Sequence, residues 1–455
     1  MNYFSTININ RKILNAILII LLIFILSRYI LYFHLDIKPA NTLSIYWQLF
    51  HLDLLEKDLF RTLIYSHSQP FLWNLIVGIF LKLNAGNESN TVTSLLFLNY
   101  FFSILILIYA WNILDNFRFT YINKLICVSL LCLYPGVFFY ENLIFYSQLT
   151  CFLIFQLFYL FIRYIKSYNI IFETLIYINL LIMGFIWTAF HPLVIIIAFF
   201  FINFLKRKIP NKKSFYIFLT ILLISTIPFL KNKILFGISS SGWTGFYLCQ
   251  TIVFKANIPE CAHNVSSATH DHQEEYFIKY KKNKEDLNHP NLNKGPMSKR
   301  HHLGFIIVSD NLLKKTKEFI IKNPEKYIAQ RMQAILASHG KFSFDYGIKP
   351  QNWREVFSFF QKIEINQNLK LIRQIIVFII MGVIYLNLIL FLFKKKSLIE
   401  KKSIIFLMLI YLYFYFLSIA TNGHEHERIM YTFIIVNFLS ISLMIKKCLK
   451  ILKIE

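Results

Sequence analysis

The residues best suited to chemistry lie in two short stretches of the N-terminal part of the chain. Asp36 follows the first apolar run, Ile13 to Phe33, by a few residues, and His67-Ser68-Gln69-Pro70 opens the second. A carboxylate at such an interface can act as general base on an acceptor hydroxyl, and a histidine beside a proline-started helix N-terminus is well placed to contact an anionic phosphate. Structural readings compete: Asp36 as an interfacial residue, His67 as a helix-start residue bonded to backbone, and Asp53 and Asp58 as a solvated helix face.

The elements that must position these groups are membrane helices. The 455 residues are 56% hydrophobic, with a mean hydropathy of +0.52, and the apolar residues come in long blocks. A net charge of +24 would raise nucleic-acid binding in a soluble protein. Here the charge is clustered at the flanks of apolar segments, at Lys206 to Lys213, Lys394 to Lys402 and Lys446 to Lys453, which marks a cytoplasmic side, and no nucleic-acid partner is expected. The first run follows Arg11 and Lys12, exceeds a signal-peptide core and lacks a small-residue cleavage site, so it reads as an uncleaved crossing with its N-terminus inside. Of the cysteines, only Cys249 and Cys261 fall outside apolar segments and cytoplasmic ends, and a disulfide between them or two free thiols both remain open.

Apolar segments run over 12–33, 70–84, 92–114, 121–140, 143–165, 170–188, 191–205, 214–236, 371–393, 403–421 and 429–446. Both termini inside require an even number of crossings, so one candidate fails to cross. The short segment 70–84 and the segment 121–140, broken by Pro135 and Gly136, are the suspects. In residues 41–66, Leu52, Leu55, Leu59 and Leu63 recur at helical spacing, which predicts an amphipathic helix on the outer membrane surface. The layout is an all-α polytopic membrane protein of about ten crossings. Residues 1–236 form a transmembrane module with first outer loop 34–69, residues 237–370 an extracytoplasmic insert with a helix from about Pro324 to Ser338, and residues 371–455 the last helices.

Asp after the first helix, a surface amphipathic helix, then His-x-x-Pro opening an apolar helix resembles the membrane glycosyltransferases of the GT-C fold. These include the dolichyl-phosphate-mannose-protein mannosyltransferases and the bacterial lipid A aminoarabinose transferases. In that family the first outer loop supplies the catalytic acid residue, and the histidine usually precedes two prolines; here Phe71 stands in the second place. Tyr134-Pro135 with Tyr140-Glu141-Asn142 and Tyr146 resembles the second outer loop, where another acidic residue approaches the active site. Glu141 between apolar runs is costly without a partner, and it is outside only if one segment between it and His67 fails to cross. The last outer loop, Gly423-His424-Glu425-His426-Glu427-Arg428, matches the family's acidic residue followed by Arg, and Arg428 can pair with a lipid phosphate or with Glu425 or Glu427. His191-Pro192 and the stretch Ser240 to Tyr247 resemble further positions at the outer rim, where Trp243 stacks on a sugar or sits in the aromatic belt.

The resemblance implies a transferase in the plasma or inner membrane, with both termini cytoplasmic, that moves a sugar from a polyprenyl phosphate to a hydroxyl of a lipid, glycan or protein acceptor on the outer side. Asp36 and Glu141 are its expected catalytic residues, and His67, Gln69, His191, Trp243, Glu427 and Arg428 bind donor phosphate or substrate. No cofactor and no metal are expected: no Gly-rich nucleotide loop is present, and neither His424-Glu425-His426-Glu427 nor His263, His270, Asp271 and His272 has a convergent ligand spacing. The rivals are a lipid or polysaccharide transporter, which would place ionisable groups near the midplane, and a surface-polysaccharide ligase or polymerase.

Overall fold

Where the helices end decides what they can position. The computed structural model describes residues 11–39, 42–43, 46, 48–187, 190–206, 211–250, 270–293, 301–339, 382–383, 385–393, 397–421 and 431–451. Among them the chain is helical, without strands. In order the helices are α1 (Arg11–Tyr29, continued by a π-turn Ile30–His34), α2 (Leu52–Lys57), α3 (Leu59–Ile64), α4 (Phe71–Leu83), α5 (Glu88–Asn116), α6 (Tyr121–Cys132), α7 (Pro135–Glu141), α8 (Ser147–Ser167), α9 (Ile170–Ile186), α10 (Pro192–Lys206) and α11 (Lys212–Phe236). The insert contributes α12 (Thr244–Gln250), α13 (His270–Tyr280), α14 (Pro290–Asn293), α15 (Phe305–Lys322) and α16 (Pro324–His339); α17 (Leu398–Thr421) and α18 (Ile434–Ile451) follow. Among the described residues four helices, Leu14–His34, Glu88–Asn116, Ser147–Ser167 and Lys212–Phe236, are long and apolar enough to cross a membrane, five if α6 and α7 form one broken span. α4, α9 and α10 are shorter apolar helices.

One end of the bundle is drawn together by lysines. Lys124 pairs with Asp115 at 2.6 Å, Lys166 donates to Asn116, Lys206 pairs with Glu173 at 2.7 Å, Lys402 reaches the Leu205 carbonyl, and Lys446 caps the carbonyls of Phe117 and Arg118. Lys206, Lys402 and Lys446 come from the three basic clusters, so those clusters share an end. The buried centre is α8, with α5, α9 and α17 packed around it.

The opposite end holds the segment after α1. Thr42 donates to Glu88 at 2.7 Å, and a Cβ built on Gly86 would touch the Glu56 carboxylate. α4 therefore starts and finishes at one end, beside the loop that precedes it. Its 13 residues span about 20 Å, short of the roughly 30 Å of a hydrocarbon core. Of the two segments suspected of not crossing, 70–84 is thus a helix shorter than that thickness. The other suspect bends by 51° between α6 and α7, where Pro135 supplies the first residue of the new helix.

The amphipathic helix expected over 41–66 is two short ones, broken at Asp58, whose φ of −133° leaves the helical region. Leu55 and Leu59 are buried, but against α4, where a Cβ on Gly78 would meet the Leu59 side chain. Their apolar face thus covers protein, while Phe60 and Ile64 of α3 stay exposed. In the insert, α12 and α13 pack on α15 around Trp243, Phe305, Tyr276 and Ile307. The helix expected from Pro324 is α16. Cys249 is disulfide-bonded, Cys127, Cys132, Cys151 and Cys448 are free, and Cys261 lies outside the described residues.

Candidate functional site

The loop between α3 and α4 is held in place by main-chain acceptors. The His67 carbonyl takes the Gly242 amide at 2.8 Å, and the Ser68 carbonyl takes the Ser241 hydroxyl at 2.5 Å. Asn232 of α11 donates to the Ser240 carbonyl at 3.0 Å, and Lys231 donates to that of Ser66. From the insert, His301 meets Ser68 through Nδ1 at 2.6 Å and accepts from His67 Nε2 through its carbonyl at 3.0 Å. His67 is then the neutral Nε2–H tautomer, with Nδ1 bare and facing Gly242, where a Cβ would collide with it. Burial lowers its pKa to about 4, and the Lys231 charge adds to this, against the opposing backbone contact at His301.

Beside this loop is a cavity of about 360 Å³. Its polar lining comes from His67, Ser68, Gln69, His191, Ser225, Lys231, Asn232 and Ser241, and its apolar wall from residues such as Phe60, Leu63, Leu180, Phe185 and Ile227. His191, just ahead of α10, is exposed; its ring meets Phe229 edge-on at 4.6 Å, and burial of its inner part lowers its pKa. No protein-family model, curated protein or solved structure matches this chain. What the cavity can do follows from its groups alone: an apolar enclosure with cationic and amide groups on one side suits an amphiphile with an anionic head.

Three of the residues singled out in the sequence, His67, Gln69 and His191, therefore line one cavity. Asp36 does not line it; it stands exposed beyond the π-turn, at a left-handed φ of 48°, with Lys38 at 2.8 Å. Glu141 is fully buried and bidentate to Arg28, with Nη2 to Oε1 at 2.5 Å and Nε to Oε2 at 3.0 Å. Both its oxygens are engaged, so a proton-transfer role for Glu141 requires that pair to open. Trp243 is fully buried, packed on Tyr247 and the His301 ring, so it offers no face to a sugar and none to a membrane interface; it braces the histidine that holds the loop. Glu427 and Arg428 lie outside the described residues. Sequence reasoning missed Lys231, Asn232 and His301, while Ser241 falls in the stretch Ser240 to Tyr247 that it placed at the rim. Lys231 had a signal, as a charge inside the apolar run 214–236; for His301 there was none.

Proposed function

We propose that this is a GT-C-like bundle of about ten crossings that transfers a sugar from a polyprenyl phosphate to an acceptor hydroxyl at the end of the bundle opposite the lysines. In this reading the lysine end is cytoplasmic. The observation that carries it is the convergence of His67, Gln69 and His191 on a cavity that is apolar apart from one cationic side. The count is supported by α4 starting and finishing at one end, which leaves an even number of crossings.

In the proposed reaction the acceptor oxygen attacks the anomeric carbon as the bond from that carbon to the phosphate oxygen breaks. The acceptor proton passes to Asp36, and the phosphate departs with its electron pair. A phosphate leaving group needs charge stabilisation more than protonation, so cationic and amide donors around it lower the barrier without a nucleotide or metal. Arg428 and Glu427 join this rim in the proposal, and the Glu141–Arg28 pair fixes α1 against α7, which sets where Asp36 emerges.

The test is sugar transfer from prenyl-phosphate-linked donors by membranes carrying Asp36→Asn, His191→Ala or Arg428→Ala, each checked for expression. Loss of transfer in all three is expected. Full rates in all three remove the proposed site, and lipid translocation without any transfer by the unaltered protein would favour a transporter.

A further inference from the structure

Lys231 is the single Lys or Arg among the residues lining the cavity, and no Asp or Glu lines it. Its ammonium donates to the Ser66 carbonyl and lies 5.6 Å from the Phe236 ring, and no carboxylate of the described residues is within ion-pair distance. Elsewhere in the described bundle Arg28 pairs with Glu141, Lys206 with Glu173 and Lys124 with Asp115, while half-buried Lys402 and buried Glu400 are held by hydroxyl and main-chain groups away from this cavity. A cation placed in a protein wall without a counterion is costly unless a ligand supplies the negative charge.

The wall of the same cavity is open to one side. Phe60 and Ile64 of α3 and Ile227 of α11 line it and yet remain 72%, 50% and 55% exposed. On α11, Leu223, Ile227, Leu230 and Ile234 form one exposed apolar stripe at helical spacing, as a lipid-facing helix requires. The mouth therefore lies on the bilayer side of the bundle. At about 360 Å³ the cavity is at the low end of the range for a small ligand, so it takes a headgroup and the first part of one chain, and the remaining hydrocarbon stays outside.

We propose that Lys231 is the phosphate anchor of a single-chain prenyl phosphate that reaches the cavity sideways, between α3 and α11. This rests on the cavity assigned above as the donor site, but it does not require that sugar transfer take place there. Gln69 supplies a neutral donor to the same phosphate, and His191 stands at the mouth.

The experiment is binding of farnesyl phosphate to the full chain in nanodiscs, with farnesol, phosphatidic acid and inorganic phosphate as comparison probes, for the unaltered protein, Lys231→Met, Lys231→Arg and Ile227→Trp. Loss of a charge-assisted contact predicts affinity for farnesyl phosphate about thirty-fold weaker in Lys231→Met, with Lys231→Arg within a few-fold of the unaltered protein. Ile227→Trp, which leaves the lysine in place, slows association by narrowing the mouth. Farnesol binding, already weak, is the same in all four proteins. The proposal is overturned if Lys231→Met binds as tightly as the unaltered protein, if inorganic phosphate competes at equal concentration, or if phosphatidic acid is preferred. Should Lys231→Met fail to fold, Ile227→Trp carries the test, and an unchanged association rate overturns sideways access. Lysine-dependent binding without sugar transfer would sink the transferase and leave this site standing; transfer that persists in Lys231→Met would do the reverse.

Discussion

Replacing Glu141 by Gln separates a structural role for this carboxylate from a catalytic one. Its partner Arg28 is buried, with Nη1 donating to the Ser27 hydroxyl at 2.9 Å and the Cys132 carbonyl at 3.0 Å, and its guanidinium lies over Phe24 at 3.9 Å and Phe138 at 4.4 Å. The substitution removes the only counterion that arginine has within ion-pair distance among the described residues and leaves a charge enclosed by rings. Breaking such a pair costs about 3–5 kcal/mol, and Gln retains one acceptor oxygen, so the lower part of that range is expected. Removing both charges, with Arg28→Met and Glu141→Leu together, restores most of the loss, since no unpaired charge then remains. The assay is thermal unfolding of the detergent-solubilised full chain at a fixed scan rate for the two single variants and the double. An unaltered unfolding temperature in Glu141→Gln would refute the reasoning. If that variant were stable but inactive in sugar transfer, Glu141 would belong to the chemistry after all.

The His67 imidazole protonates near 6.5 when unfolded but only near 4 in the fold, so the unfolded chain binds more protons throughout that interval; stability rises with pH across it, and about 3 kcal/mol held above the interval is lost below it. His67→Gln should flatten the dependence of unfolding temperature on pH over that range. Gly242→Ala drives a methyl into His67 Nδ1 and should destabilise by about 1–3 kcal/mol in a denaturation series, whereas Gly382→Ala, with nothing within 4 Å, should be neutral or better. Lys206→Met leaves Glu173 buried with only the Tyr177 and Ser214 hydroxyls, and a loss of about 3 kcal/mol is expected by the same measurement.

Much of the helical layout can be read from the chain, because membrane helices announce themselves by length and apolar content: the run 92–114 is the core of α5, and 214–236 nearly coincides with α11. The grouping of Lys206, Lys402 and Lys446 follows from charge position alone. His67, Gln69 and His191 were found because a His-x-x-Pro and a His-Pro at helix starts are local signals. What escaped was non-local. Glu141 finds Arg28 across 113 residues, and nothing near either one names the other. Trp243 was expected at a surface and is instead enclosed by the insert, whose His301 comes from a stretch without periodicity. The leucines of α2 and α3 show the right spacing for a buried face, but spacing does not say whether lipid or α4 covers it.

The turning back of α4 has a consequence for anyone tracing this chain by tagging. Counted as a full pass, it would reverse the compartment assigned to every connection from residue 84 onward and would put the cluster at Lys206 on the wrong face. Reporter fusions joined after Leu35 and after Ala85 should instead give the same sign. A thirteen-residue helix, sealed against its neighbours through Gly78 and Gly86, thus sets the parity of all that follows it.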